Sequence, residues 1–303
     1  MSDNRPLITI LTDTKNRAGL ISKCIESIQK QTYQNYEHII ADGGSDNTEE
    51  VIKAYNDPKI KYVRVPVGGP VAQTKVAFEM SKGDYITFLD DDDEYLPCKL
   101  EKQLQLIQSL PPDYGFIYGA MSYYDYATNE YLYDHPAEYN GGKELLPIAV
   151  SDSIICGTPT LMFRRNVFTS IGGTWIAGIG NERSDWALCC KALKQGWKVA
   201  PLKESYLKIY VNHDAVRLSN NSFYSDHADR YISFHNYFLT EYKDIIAENP
   251  KIAVLHYKSL VYCYLQKKSF GKAIDTWRNL IKVAPSPKTI LLLPYYLLKT
   301  KIQ

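Results

Sequence analysis

Between Leu7 and about residue 120 the sequence changes period repeatedly, and this alternation constrains the fold more than any other feature. The runs LITILT, EHIIA, IKYVRV, YITFL and FIYGA are short, rich in β-branched and aromatic residues, and read as strands. Between them, Ile21, Cys24, Ile25 and Ile28 fall at i, i+3, i+4 and i+7, and Leu100, Leu104 and Ile107 repeat with helical spacing after Pro97. Strands that alternate with helices give an α/β fold, a mostly parallel sheet flanked by helices. With 303 residues the chain can bury a sizeable core, as one large domain with an appendage or as two modest domains.

From about 121 to 220 the pattern becomes irregular and rich in Tyr and Gly, with one clear helix near SDWALCCKALKQG that should end at Gly196. Long connections with few regular elements are where binding sites tend to be built. From about 222 onward the chain reads as helical. The stretch AVLHYKSLVYCYLQKKSFGKAIDTWRNLIKVAPSP has the form helix, turn, helix and Pro stop, like one tetratricopeptide unit. The expected division is therefore a domain over 1–220, with halves at about 7–120 and 121–220, and a C-terminal helical appendage over 221–303.

Bulk properties exclude several classes. A formal net charge of +1 without a long basic tract argues against a partner held by bulk electrostatics, so no nucleic acid is expected. The six cysteines show no CxxC spacing, so neither a zinc site nor a disulfide framework is suggested, and reduced cytosolic thiols are the simplest inference. The N-terminus lacks the pattern of a signal peptide, which points to the cytoplasm. The most apolar tract, TILLLPYYLL, falls short of the roughly 20 residues that span a bilayer. With Lys288, Lys299 and Lys301 beside it, this segment fits either an interfacial helix at the inner face of the plasma membrane or a helix packed on its neighbours.

The chemistry concentrates where strands end. In GDYITFLDDDDEYLP, four carboxylates, Asp90 to Asp93, directly follow a strand. Two unit charges about 4 Å apart repel by roughly 4 kcal/mol at an effective dielectric of about 20, so a divalent cation is the natural partner for them. A solvated acidic loop is the plainer alternative. Asp42 ends the strand EHIIA and opens DGGSDNT, and Thr12 and Asp13 end the first strand. In open α/β sheets ligands bind outside the carboxyl ends of strands, so these residues can share one edge. Gly43 and Gly44 permit a tight turn and a close backbone approach, although a plain turn explains them equally well.

The ordered set ITILTDTKNRAGLISKCIESIQKQTYQNYEHIIADGGSDNT, a Gly-rich link and GDYITFLDDDDEYLPCKLEKQ resembles the nucleotide-sugar half of a family 2 glycosyltransferase. The resemblance is strong over 7 to about 110 and looser to about 217. It implies a Rossmann-like GT-A fold and an inverting, metal-dependent transfer from a UDP-sugar to a saccharide or lipid-linked saccharide, in surface polysaccharide or capsule assembly. Carried over by position, it puts Thr12, Thr14 and Gly43 at the nucleotide pocket and Asp42 on the uracil ring. Asp90 and Asp92 occupy the ends of the Asp-x-Asp motif, holding the diphosphate and Mn²⁺ or Mg²⁺, with Asp92 the direct ligand. Asp91 faces the ribose or shapes the turn, and Asp93 only solvates it.

The resemblance also implies a catalytic base from an acidic pair opening a helix, and Asp185 in ERSDWALCCKAL takes that position. Ser184 and Ala187 depart from the family's acidic residues, and Ser-Asp at a helix start also serves as a cap. Where relatives carry Arg-Asn, this chain has Thr74 and Lys75, so a phosphate or base contact is altered or passes to Lys75. The segment IYVNHDAVRLS is similar to the family's C-terminal His segment, making His213 a metal or phosphate ligand and Arg217 a diphosphate contact. Trp175 and Trp186 are candidates for an acceptor wall or for the core. A catalytically silent scaffold subunit is the alternative, and whether the chain forms a homo-oligomer stays open. A haloacid-dehalogenase phosphatase would need a Gly-Thr-like pair after the motif, and a dinucleotide oxidoreductase a GxGxxG, and neither is present.

Overall fold

In the first 90 residues β1 (Ile8–Thr14), α1 (Ile21–Gln29), β2 (Tyr36–Asp42), α2 (Thr48–Ala54), β3 (Ile60–Arg64), α3 (Gly69–Met80) and β4 (Tyr85–Phe88) alternate as the periodicity requires. There follow β5 (Glu94–Tyr95), α4 (Lys99–Ser109), β6 (Tyr114–Asp125), β7 (Tyr131–His135), α5 (Leu146–Ser151), β8 (Leu161–Arg164), α6 (Arg165–Ser170), α7 (Ser184–Lys194) and β9 (Lys198–Val211). The computed structural model describes residues 5–153, 157–173, 179, 184–212 and 228–300. It divides into one unit of Met1–Lys143, Ile155–Trp175 and Asp185–Ala215, and a second of Glu144–Ile154, Ile176–Ser184 and Val216–Gln303.

The first unit holds a nine-stranded sheet in the order β3-β2-β1-β4-β8-β6-β9-β5, with β7 paired to β6. Strands β3, β2, β1 and β4 are parallel, β8 runs antiparallel to both β4 and β6, and β9 runs parallel to β6. It follows that β1 to β4, β6 and β9 all point their carboxyl ends to the same edge. Every residue of β2 is buried, as expected of a central strand covered on both faces. The inward faces of α1 (Ile21, Cys24, Ile25, Ile28) and α4 (Leu100, Leu104, Ile107) pack with Ile8, Ile10 and Ile40 into one cluster. Each such buried aliphatic side chain contributes about 1.5–3 kcal/mol.

Of the four strands absent from the sequence reading, β8 and β9 lie inside the sheet. The run of β9 mixes Pro, Lys and Glu with its apolar residues, and its pairing to β6 shifts register more than once. β8 is only four residues long, too short to establish a period. The C-terminus of α7 matches expectation, since Gly196 takes the left-handed conformation (φ 97°) that ends the helix.

The second unit is helical among its described residues: α5, then α8 (Ala228–Glu241), α9 (Lys243–Glu248), α10 (Val254–Gln266), α11 (Phe270–Val283), α12 (Pro287–Ile290) and α13 (Leu292–Thr300). α10 and α11 are the helix pair expected from the tetratricopeptide-like pattern. Val261, Leu265, Ala273 and Leu293 form the core between α10, α11 and α13. α5 is tied to α10 by a hydrogen bond from His256 Nε2 to the Val150 carbonyl (2.7 Å).

Candidate active site

The strand register sets the site. Thr14 lies opposite Asp42 and Asp42 opposite Arg64, so the acidic end of β2 is centred between β1 and β3. Leu11 lies opposite Phe88, and the Leu89 amide donates to the Leu11 carbonyl (3.0 Å), which brings Asp13 level with the residues that follow β4. The buried Gln73 of α3 clamps this edge by donating to the Thr14 and Ala41 carbonyls (2.7 and 2.8 Å). The Gly43 amide donates to Thr14 O (2.9 Å), and Asp42 Oδ1 accepts from the Gly44 amide (2.6 Å). A Cβ on Gly44 would lie 2.4 Å from the Asn16 backbone nitrogen, so this turn needs glycine. The second Asp42 oxygen accepts from the Tyr62 hydroxyl (3.0 Å).

After β4 the chain turns tightly, the Asp93 amide donating to the Asp90 carbonyl (3.2 Å). Asp91, Asp92 and Asp93 are buried and Asp90 is exposed. Arg17 Nη1 donates to Asp91 Oδ1 (3.0 Å) and Asp92 Oδ2 (2.7 Å), bridging two of the four carboxylates. Asp93 Oδ1 accepts from the Tyr210 amide of β9 (3.0 Å). Asp90, Asp92 and Asp93 each offer a carboxylate oxygen, all within 4.8 Å of one another. Oxygens around an octahedral Mg²⁺ at about 2.0–2.1 Å lie about 2.9 Å apart when adjacent and about 4.2 Å when opposite, so this all-oxygen set suits a hard divalent cation once the side chains close around it. Asp93, expected only to solvate the turn, is thus part of the cluster.

The electrostatics match an unfilled demand for positive charge. Burial, with only partial relief from Arg17 and a further push from Asp92, raises Asp91 to about 7. Asp13 is likewise raised to about 7 by burial, against the hydrogen bond from Thr74 and with the charge of Asp91 adding to the rise. Thr74 Oγ1 donates to Asp13 Oδ2 (2.7 Å), while Asp13 Oδ1 is enclosed with no hydrogen-bond partner among the described residues. Burial and then the charges of Asp92, Asp91, Asp13 and Asp185 push Asp90 well above the usual carboxylate range. Because the Asp90 side chain is open to solvent, the repulsion between carboxylates is the cause that persists there.

The same repulsion places Asp185, in the first turn of α7, within electrostatic reach of Asp90. Its neighbour Trp186 is only 3% exposed, so its ring belongs to the core. Thr14 is buried at the end of β1. Thr12 is buried, its hydroxyl 2.9 Å from His38 Nε2 and 3.8 Å from Cys24 Sγ of α1. Lys75 does not reach the site either: it lies on the exposed side of α3, 3.8 Å from Glu79. Trp175, His213 and Arg217 lie outside the described residues.

Sequence reasoning missed Arg17, Gln73 and the Thr74–Asp13 bond. A signal was present for the first, since Arg17 sits four residues past Asp13 in the loop that leaves the same strand. For α3 the phase was the obstacle, because Gln73 and Thr74 face inward where Lys75 faces out.

The sequence profile of glycosyl transferase family 2 matches residues 9–172, which contain β1 to β8 and the whole acidic cluster. The chain belongs to glycosyl transferase family 2. An Escherichia coli (strain K12) protein, WcaA, whose name assigns it to colanic acid biosynthesis, is 28% identical to this family 2 chain over 253 residues, 75% of this chain and 84% of that one. The chain spans 36–61% of the length of several other glycosyltransferases it matches. Among solved structures, Staphylococcus aureus TarS 1–349 in complex with UDP superposes with a TM-score of 0.60 at 15% identity, covering 91% of this chain and 90% of that one. A mannosyltransferase of Pyrobaculum calidifontis, in complex with GDP-Man and Mn²⁺, gives 0.56 at 16% identity over 99% of this chain and 81% of the other. At these identities the likeness establishes the fold, and that fold is GT-A.

Proposed function

We propose that this glycosyltransferase carries out an inverting, metal-dependent transfer of a hexose-type sugar from a UDP-sugar to a saccharide or lipid-linked saccharide, in assembly of a surface polysaccharide. The observation that carries the reading is the Asp90–Asp92–Asp93 oxygen cluster, on the strand-end edge that also holds Asp42 and within reach of the charge of Asp185. Bound there, Mn²⁺ or Mg²⁺ would offset the carboxylates and the charge of the departing diphosphate. Asp42, anchored by Tyr62 and the Gly44 amide, would orient the base of the nucleotide, with Thr14 and Gly43 shaping the pocket floor. Asp185 would take the proton of the acceptor hydroxyl as its oxygen bonds to the anomeric carbon and the bond to the diphosphate breaks. The name of the Escherichia coli relative supports the polysaccharide setting, and the UDP complex of TarS supports the donor class.

The GDP-Man complex of the Pyrobaculum mannosyltransferase favours a second reading, a GDP-sugar donor. Titration calorimetry with UDP and with GDP, each in Mn²⁺ and in EDTA, separates the two. The expected result is binding of UDP alone, dependent on Mn²⁺ and weakened at least about tenfold by Asp92→Asn. Binding of GDP alone overturns the donor assignment. Metal-dependent UDP binding that survives Asp92→Asn overturns the metal site. Binding of neither nucleotide makes the chain a scaffold subunit.

A further inference from the structure

The terminal helix is apolar on two faces, and only one is used. Leu293, Tyr296 and Leu297, at i, i+3 and i+4, pack into the core made with α10 and α11. Leu291, Tyr295 and Leu298, at i, i+4 and i+7, form a second stripe that is 61%, 57% and 65% exposed, and Ile290 beside it is 47% exposed. A soluble surface helix ordinarily carries polar residues on the face away from its core. The segment is well anchored all the same. Ser286 and Thr289 form a reciprocal cap at the start of α12, and Trp277 Nε1 donates to the Thr289 carbonyl (2.9 Å). The exposed stripe is therefore held in place by the fold and is not a frayed end.

Charge distinguishes what could cover it. From Val254 to Gln303 the sequence has nine Lys and Arg side chains against one carboxylate, Asp275. The chain as a whole carries only +1, so positive charge is concentrated in this segment of the sequence and the remainder is acidic. Lys282 and Lys288, which flank the turn into α12, are exposed. An apolar stripe in a strongly basic segment matches the interface of an anionic bilayer, where leucine and tyrosine side chains enter the acyl boundary and lysines meet headgroup phosphates. A second copy of the same strongly cationic face is opposed by its own charge. No helix among the described residues is long and apolar enough to cross a membrane, so the contact would lie on the surface.

We propose that the outer face of the C-terminal helical segment, Ile290 at the end of α12, Leu291 between the helices, and Tyr295 and Leu298 of α13, with Lys282 and Lys288, docks the protein onto an anionic lipid bilayer. The inference concerns the helical unit alone and depends on neither donor nor acceptor. It is tested by flotation of the full chain with vesicles of mixed phosphatidylglycerol and phosphatidylcholine, and with vesicles of phosphatidylcholine alone. The protein should float with the first and not the second. Leu291→Gln/Leu298→Gln should reduce the bound fraction roughly tenfold, and Lys282→Gln/Lys288→Gln should do likewise while flattening the loss with salt. Because both leucines are more than half exposed, the melting temperature of the first variant should stay at the wild-type value, and the lysine variant gives an independent reading of the same face. Failure to float with anionic vesicles, equal flotation with both compositions, or wild-type flotation of both variants overturns the proposal. Self-association in sedimentation that the leucine variant abolishes, without vesicle binding, would assign the face to a second copy instead.

Discussion

At the edge of the sheet, Asp90, Asp92 and Asp93 hold carboxylate oxygens within 4.8 Å of one another, and Asp13 encloses an oxygen that no described residue satisfies. In the helical unit, His235 and His256 are buried just as deeply, but their Nδ1 atoms share a hydrogen bond of 3.0 Å and His256 Nε2 reaches the Val150 carbonyl at 2.7 Å. A carbonyl can only accept, so His256 carries its proton on Nε2, its Nδ1 accepts, and His235 Nδ1 donates. The two rings thus share one proton between their Nδ1 atoms. Burial lowers His256 to about 4, against the Val150 carbonyl, whereas burial raises Asp91 and Asp13 to about 7. Each region favours the uncharged form, but the histidines reach it with hydrogen bonds made and the carboxylates with like charges crowded together. The histidine pair, neutralised by burial and bonded to each other and to Val150, marks structure even though His235 Nε2 has no hydrogen-bond partner among the described residues. A crowded set of carboxylates, arranged at strand ends, marks a place for a ligand.

The largest expected effect breaks the comparison at the acidic edge. Asp185→Asn removes the proposed proton acceptor while keeping the shape of the side chain, so turnover should fall by about 10³-fold, or about 4 kcal/mol, with UDP affinity in Mn²⁺ nearly unchanged. Product formation from a radiolabelled UDP-sugar, followed beside calorimetry of UDP, reads both quantities. Wild-type turnover in the variant would remove Asp185 from the mechanism.

The edge was far more legible in the sequence than the interior that supports it, and the reason is physical. Strands β1 to β4 carry a steady apolar run, and α1 and α4 show one apolar stripe each, so period alone finds them. Four aspartates after a strand advertise their own electrostatic problem. By contrast, β9 mixes polar and apolar residues, and its link to the acidic turn is carried by Tyr210, which donates its amide to Asp93 and holds its hydroxyl 3.0 Å from Glu94 Oε1. The Arg17 bridge joins residues 74 and 75 positions apart, a spacing that no local pattern carries. Lys99 misleads in the opposite sense. Its sequence position reads as a solvated helix start, yet it is buried, donates to Thr87 Oγ1 (3.1 Å) and Gln103 Oε1 (2.8 Å), and sits 3.7 Å from the centre of the Tyr95 ring.

A smaller effect sharpens the comparison from the helical side. With a folded pKa of about 4 against an ordinary 6.5, His256 binds its proton more readily in the unfolded chain. Its contribution is fully present above pH 6.5 and is lost as pH falls through 4, by up to about 3 kcal/mol. His256→Phe should flatten that acid loss. It should also cost about 2 kcal/mol at pH 7, because the Val150 carbonyl and the His235 donor lose their partner. Denaturant titrations of both proteins at several pH values between 4 and 7 measure the slope and the offset together. A slope that survives in the variant would place the acid sensitivity elsewhere.

The smallest effect carries the opposite sign and belongs to Asp13. Its folded pKa of about 7 lies above the ordinary value of 3.8, so its contribution is fully present below pH 4 and is lost as pH rises through 7. Asp13→Asn keeps an oxygen for Thr74 and removes the charge, so the variant should match the wild type near pH 4 and exceed it by about 1–2 kcal/mol at pH 7.5, after discounting for the partial exposure of Asp13. The comparison must be between variant and wild type, since buried His38, lowered to about 3, and buried Lys99, lowered well below its ordinary value, both push stability the other way across this range. Mn²⁺ with UDP should narrow the gap, because added positive charge beside Asp91 relieves the repulsion that helps raise Asp13. The same addition should leave the pH slope set by His256 unchanged. If Asp13→Asn gains nothing at pH 7.5, the enclosed oxygen is satisfied in solution, and the contrast between crowded carboxylates and a bonded histidine pair fails at its most exposed point.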